Sequence, residues 1–117
     1  MKLRVASVEL YDYTRVAALT MSGEEGVEVR LELPIQVVDE VGWSPKVGDE
    51  VELELSASAG NLDAWDIVLS GRPLKAGGGA VTFTFGGLLC TVKGVGAEPP
   101  KRLFLKLRVP RSRGPSA

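Results

Sequence analysis

Glu50, Glu52 and Glu54 recur at every second position. In an extended segment that spacing puts all three on one face, where they could gather a divalent cation or dock a basic partner. Hard-cation sites use oxygens that converge on one point. Parallel carboxylates repel one another unless positive charge lies opposite. The plainer expectation is therefore a solvated face met by Arg or Lys on a neighbouring strand. Arg102, Lys106 and Arg108, with Phe104 among them, form the opposite stripe. Basic residues interleaved with a ring are the raw material of a single-stranded nucleic-acid surface. The chain has only two Trp, two Tyr and three Phe, and Phe104 alone falls in this stripe. A charged edge strand protected against aggregation, or a protein contact, is the favoured alternative.

Other chemistry is sparse. The chain has no histidine, so imidazole is missing as base, nucleophile and metal ligand, and Ser/His/Asp and Cys/His mechanisms go with it. Asp63 and Asp66 flank Trp65 in a way that suits loop and strand ends, and nothing marks them as a catalytic pair. Cys90 is the single cysteine. It sits in an apolar run and reads as a small core residue, and no intrachain disulfide can form. The runs Gly77-Gly78-Gly79 and Gly86-Gly87 lack the following helix and Gly-Lys-Ser/Thr of a phosphate loop, which leaves turns or a bulge. No metal, no cofactor and no catalytic residue is expected.

The elements that carry these residues are strands. In Val27-Glu28-Val29-Arg30-Leu31-Glu32-Leu33 apolar residues hold the odd positions and charges the even ones, the period of a half-buried strand. Residues 50–55 and 102–109 repeat the scheme, and 65–69, 81–85 and 88–92 are further strands. Residues 3–10 and 14–20 alternate less cleanly, but their Val, Leu and Tyr content favours strand. Turn-forming residues separate the runs at 22–26, 44–49 and 57–63. Gly77-Gly78-Gly79 suits a hairpin. Gly86-Gly87 has the spacing of a two-residue turn, or marks a bulge that bends one long strand. Only residues 34–41 could make a short helix. About eight short strands at close spacing indicate a closed or nearly closed antiparallel barrel.

At 117 residues, with 44 % hydrophobic and 25 % charged residues, the chain has the size and composition of one globular domain. We assign it to 1–109, with a basic, disordered tail at 110–117. The N-terminus meets Glu9 before a signal-like apolar run develops. The longest uncharged stretch, 76–92, is broken by five glycines and three threonines and falls short of the ~18 apolar residues of a membrane helix. A soluble cytoplasmic protein is expected. The net charge of −1 hides a division: residues 1–70 hold 14 acids and 5 bases, residues 71–117 hold 1 acid and 9 bases. Either two faces of opposite sign serve different partners, or the halves neutralise each other across the sheet.

Two segments carry a likeness. Trp65-Asp66-Ile67-Val68-Leu69-Ser70-Gly71-Arg72-Pro73-Leu74 and Val81-Thr82-Phe83-Thr84-Phe85-Gly86-Gly87-Leu88-Leu89-Cys90 together resemble the C-terminal half of the small eighth common subunit of eukaryotic RNA polymerases. The chain is similar in the same way to the archaeal counterpart of that family, a small component of archaeal DNA-directed RNA polymerase. In that family a strand ends in a Gly-basic pair, here Gly71-Arg72. A hairpin then leads to an aromatic-Gly-Gly-Leu-Leu element, here Phe85 to Leu89. The upstream layout is compatible: Thr14-Arg15-Val16-Ala17-Ala18-Leu19, then Leu33-Pro34-Ile35-Gln36-Val37, then Val47-Gly48-Asp49 before a strand. The short loop at 57–63, where eukaryotic members carry a long acidic insertion, favours an archaeal type. The basic tail lies outside the family pattern. The resemblance implies an OB-type barrel and a non-catalytic subunit of DNA-directed RNA polymerase. That subunit docks on the largest subunit and serves assembly and stability. Its candidate partner-binding residues here are Trp65, Arg72, Phe85, Gly86, Gly87, Leu88 and Leu89. The rival reading makes Phe85 and Leu89 core and the glycines devices of curvature. A free-standing nucleic-acid-binding barrel using Arg102, Phe104, Lys106 and Arg108 is the alternative function.

Overall fold

The computed structural model describes residues 1–94 and 101–110. The tail assigned above to 110–117 lies outside the described residues beyond Pro110. Among the described residues eight strands form: β1 Lys2–Tyr11, β2 Val16–Ser22, β3 Glu28–Pro34, β4 Glu50–Ser56, β5 Ile67–Gly77, β6 Ala80–Phe85, β7 Leu88–Lys93 and β8 Leu103–Arg108. They close into a barrel in the order β1-β2-β3-β7-β6-β5-β8-β4, with antiparallel neighbours throughout. Closure removes the exposed edges that an open sheet of these strands would present. The all-β antiparallel barrel expected from the alternation is therefore the fold. A short α-helix, α1 Ile35–Glu40, follows β3 directly, and single 3-10 turns lie at Glu24–Gly26 and Leu62–Ala64. Among the described residues no helix is long and apolar enough to cross a membrane.

Strict alternation fills the interior. Val29, Leu31 and Leu33 of β3, Val51 and Leu53 of β4, Val81, Phe83 and Phe85 of β6, and Leu103, Leu105 and Leu107 of β8 all belong to one buried cluster. Leu3 and Val5 of β1, Leu19 and Met21 of β2, Ile67 of β5, and Cys90 and Val92 of β7 belong to it too. Burial of each large aliphatic side chain contributes about 1.5–3 kcal/mol. Val38 of α1 and Trp43 of the following loop join the same cluster. The Trp43 indole donates to Asp49 Oδ2 at 3.0 Å, so its polar atom is satisfied while the ring is buried.

One element departs from expectation. β5 runs on to Gly77, well past the 65–69 read from sequence, and passes through Gly71 and Pro73. Both are accommodated by position. Gly71 lies beneath the Phe85 ring, where a Cβ would run into that ring and the Thr84 carbonyl. Pro73 pairs with Phe83 beside a bulge at Leu74, where the β5–β6 register slips, and bulges are among the few sheet positions that tolerate proline. The two readings of Gly86-Gly87 resolve to a turn. Phe85 pairs with Leu88, and the glycines have φ of +60° and +93°, the positive values a type I′ hairpin requires at both central residues.

Candidate functional site

The glutamate row and the basic stripe face each other. β4 and β8 pair Glu52 with Arg108 and Glu54 with Lys106. Arg108 Nη1 donates to Glu52 at 2.8 Å, and Lys106 Nζ to Glu54 at 3.3 Å. Glu50 meets Arg4 of β1 at 3.2 Å. Two of these three pairs join the acidic and basic halves of the sequence, in the manner of one of the two charge readings, while Glu50 is met from within the acidic half. Among the described residues no three Asp, Glu or Cys side chains gather as a metal site would need.

Lys106 projects from the outer side of the barrel, yet its side chain is only 3 % exposed. The loop at 57–64 covers it. A Cβ on Gly60 would lie 3.3 Å from Lys106 Nζ. Arg108 is held too: Nε donates to the Ala64 carbonyl at 3.0 Å, and its guanidinium stacks over the half-buried Trp65 ring at 4.4 Å, a cation–π geometry. Two members of the candidate nucleic-acid stripe thus already have partners within the chain, Lys106 buried and Arg108 still exposed. Phe104 is half-buried between Ser56 and Ser70 of the flanking strands, and Arg102 stands exposed just ahead of β8.

The resemblance-derived residues also divide. Trp65 serves the packing just described. Asp66 accepts from the Val109 amide at 2.8 Å, so of the two acids beside Trp65 it ends β8. The Asp63 amide donates to Asn61 Oδ1 at 3.1 Å. Phe85 is buried in the core at 5 % exposure, as the rival reading has it, and it supports the turn from below. Gly86 and Gly87 form the exposed turn, and Leu88 and Leu89 follow half-buried. The Leu89 amide donates to Glu32 Oε1 at 2.9 Å. Glu32 also binds Arg30 at 3.1 Å, and this hydrogen bond raises the guanidinium above its ordinary pKa. Arg72 is exposed on β5 opposite Thr84, and Thr84 in turn pairs with Leu89. Arg72, Thr84 and Leu89 therefore form one cross-strand row on the outer face, with the Gly86-Gly87 turn beside it. Cys90 is buried, and burial pushes its thiol up to about 12, which leaves it protonated and unreactive at neutral pH.

Sequence reasoning missed the cover over Lys106. A loop of small residues, Ser56-Ala57-Ser58-Ala59-Gly60, can approach a strand face closely, and that composition was the only available signal. No protein-family model and no curated protein matches the chain.

Proposed function

We propose that this chain is a non-catalytic accessory subunit of a DNA-directed RNA polymerase of archaeal type, docking on the largest subunit for assembly and stability of the enzyme. The observation that carries the reading is the meeting of the two resemblance-bearing segments in space. Gly71 makes room for Phe85, and Phe85 backs the Gly86-Gly87 turn. Arg72 and Leu89 then share an outer row through Thr84. Segments separated in sequence thus form one surface unit, as a docking motif requires. A fold alone does not fix function, and this reading rests on the motif. The nucleic-acid alternative loses support, because Lys106 and Arg108 already hold carboxylate partners.

The test is affinity capture of the tagged protein from nuclease-treated native lysate of its source organism, followed by mass spectrometry. The expected result is the large polymerase subunits in stoichiometric amounts. Recovery of no polymerase subunit, or only of partners lost on nuclease treatment, would overturn the reading.

A further inference from the structure

The cations of the later half of the chain fall into two groups. Lys93, Lys106 and Arg108 each have a carboxylate within 4.0 Å. Arg72, Lys75, Lys101 and Arg102 are exposed and have no ion pair among the described residues. These four lie together. Gly71 pairs with Leu103, so Arg72 and Arg102 each stand one step beyond the last β5–β8 pair, with Lys101 one step further.

The bulge at Leu74 completes the cluster. Arg72 pairs with Thr84 and Lys75 with Thr82. Thr82 and Thr84 are two apart on β6 and therefore share a face. In a regular strand the face of Arg72 would next carry residue 74. The extra residue puts Lys75 there instead, and bulges are used in this way to re-aim side chains beside functional sites. Leu74, displaced by the slip, is 60 % exposed and offers an apolar contact between the two cations.

We propose that this corner of the barrel, Arg72, Lys75, Lys101 and Arg102 around Leu74, docks an acidic segment of the partner polypeptide; the assignment rests on the polymerase reading and specifies its contact surface. Four like charges in one corner repel one another, and a run of carboxylates removes that repulsion. Arginine with an adjacent aliphatic contact suits a protein interface. Single-stranded nucleic acid would call for rings on which bases stack. The nearest ring on this side, Phe104, is half-buried.

The test uses the full chain co-expressed with the largest polymerase subunit of the same organism. Arg72→Glu/Lys75→Glu and Lys101→Glu/Arg102→Glu are compared with Asp39→Lys/Glu40→Lys, a reversal on exposed α1. Thermal melts confirm that each variant folds. The expected result is salt-sensitive wild-type binding, a loss of at least about tenfold for each corner reversal, and a change within about twofold for the α1 reversal. Wild-type binding that the corner reversals leave intact would overturn the docking surface and spare the polymerase reading. No wild-type binding to the largest subunit would overturn both. Fluorescence titrations with a labelled Glu/Leu peptide and a labelled oligo-dT add a separate arm. Preference for the peptide supports the assignment, and preference for oligo-dT overturns it in favour of nucleic acid.

Discussion

The β4–β8 seam and the corner where β5 outruns β8 are built from the same residue types on adjoining strands, and they end in opposite electrostatic states. Along the seam each cation of β8 faces a glutamate of β4, a loop covers Lys106, and Arg108 stacks on a tryptophan. At the corner β8 has not yet begun, no acid pairs with these cations among the described residues, and a bulge turns a second cation outward. Charge placed where strands pair is spent on the fold. Charge placed where pairing stops remains available to a partner.

Gly71 joins the two regions, pairing with Leu103 on one side and lying under Phe85 on the other. Gly71→Val is expected to have the largest effect, destabilising by about 3 kcal/mol through overpacking against the Phe85 ring and the Thr84 carbonyl. Urea denaturation measures it. A loss below about 1 kcal/mol would mean that the ring moves aside easily and that the corner is not anchored to the core.

Next comes the seam. Glu54→Ala leaves the Lys106 ammonium covered and without its carboxylate. Breaking a buried pair costs about 3–5 kcal/mol. Glu54 is itself half-exposed, so solvent screening reduces the expected loss to about 2 kcal/mol. Lys106→Met, which removes the charge and keeps the packing, is expected to be close to neutral. Equal losses for the two substitutions would show that Lys106 matters for its ammonium hydrogen bonds rather than as a charge in need of a partner.

These differences explain how far the sequence could be read. The alternation in residues 27–33, 50–55 and 102–109 shows which side chains face inward, and the matching of Glu rows to a basic row follows from it. The short helix and the turns at Gly77-Gly78-Gly79 and Gly86-Gly87 are equally local. Two things are not local. Whether Gly71 and Pro73 end a strand or lie within it depends on Phe85 and on a register slip against β6. Whether Lys106 is solvated depends on a loop some fifty residues earlier in the chain, near Gly60. For the candidate site, the two motif segments do lie together, but the roles of their residues divide only in three dimensions. Phe85 goes inside and Arg72 outside, while Lys75 and Lys101 enter through the bulge and the end of the β5–β8 pairing.

Trp65 tests the cover of the seam. Trp65→Ala removes the ring under Arg108 and is expected to cost about 1 kcal/mol, the scale of a partly exposed cation–π contact. Arg108 retains its bonds to Glu52 and Ala64. A double-mutant cycle with Arg108→Ala isolates the stacking. A coupling indistinguishable from zero would reduce Trp65 to loop packing.

The corner should show the smallest effect on stability, and its sign is informative. Arg72→Gln and Arg102→Gln each remove a cation that has no carboxylate partner among the described residues and that stands in solvent. No ion pair among the described residues is lost, so thermal unfolding should place both within about 0.5 kcal/mol of the parent. Because the removed charge has like-charged neighbours and no carboxylate partner among the described residues, the shift should be toward greater stability. Raising the salt concentration, which screens that repulsion, should reduce the gain. A clear loss of stability in either variant would mean that the corner's charges serve the barrel as those of the seam do. The distinction between the two regions, and with it the reason for expecting an acidic partner at the corner, would then fail.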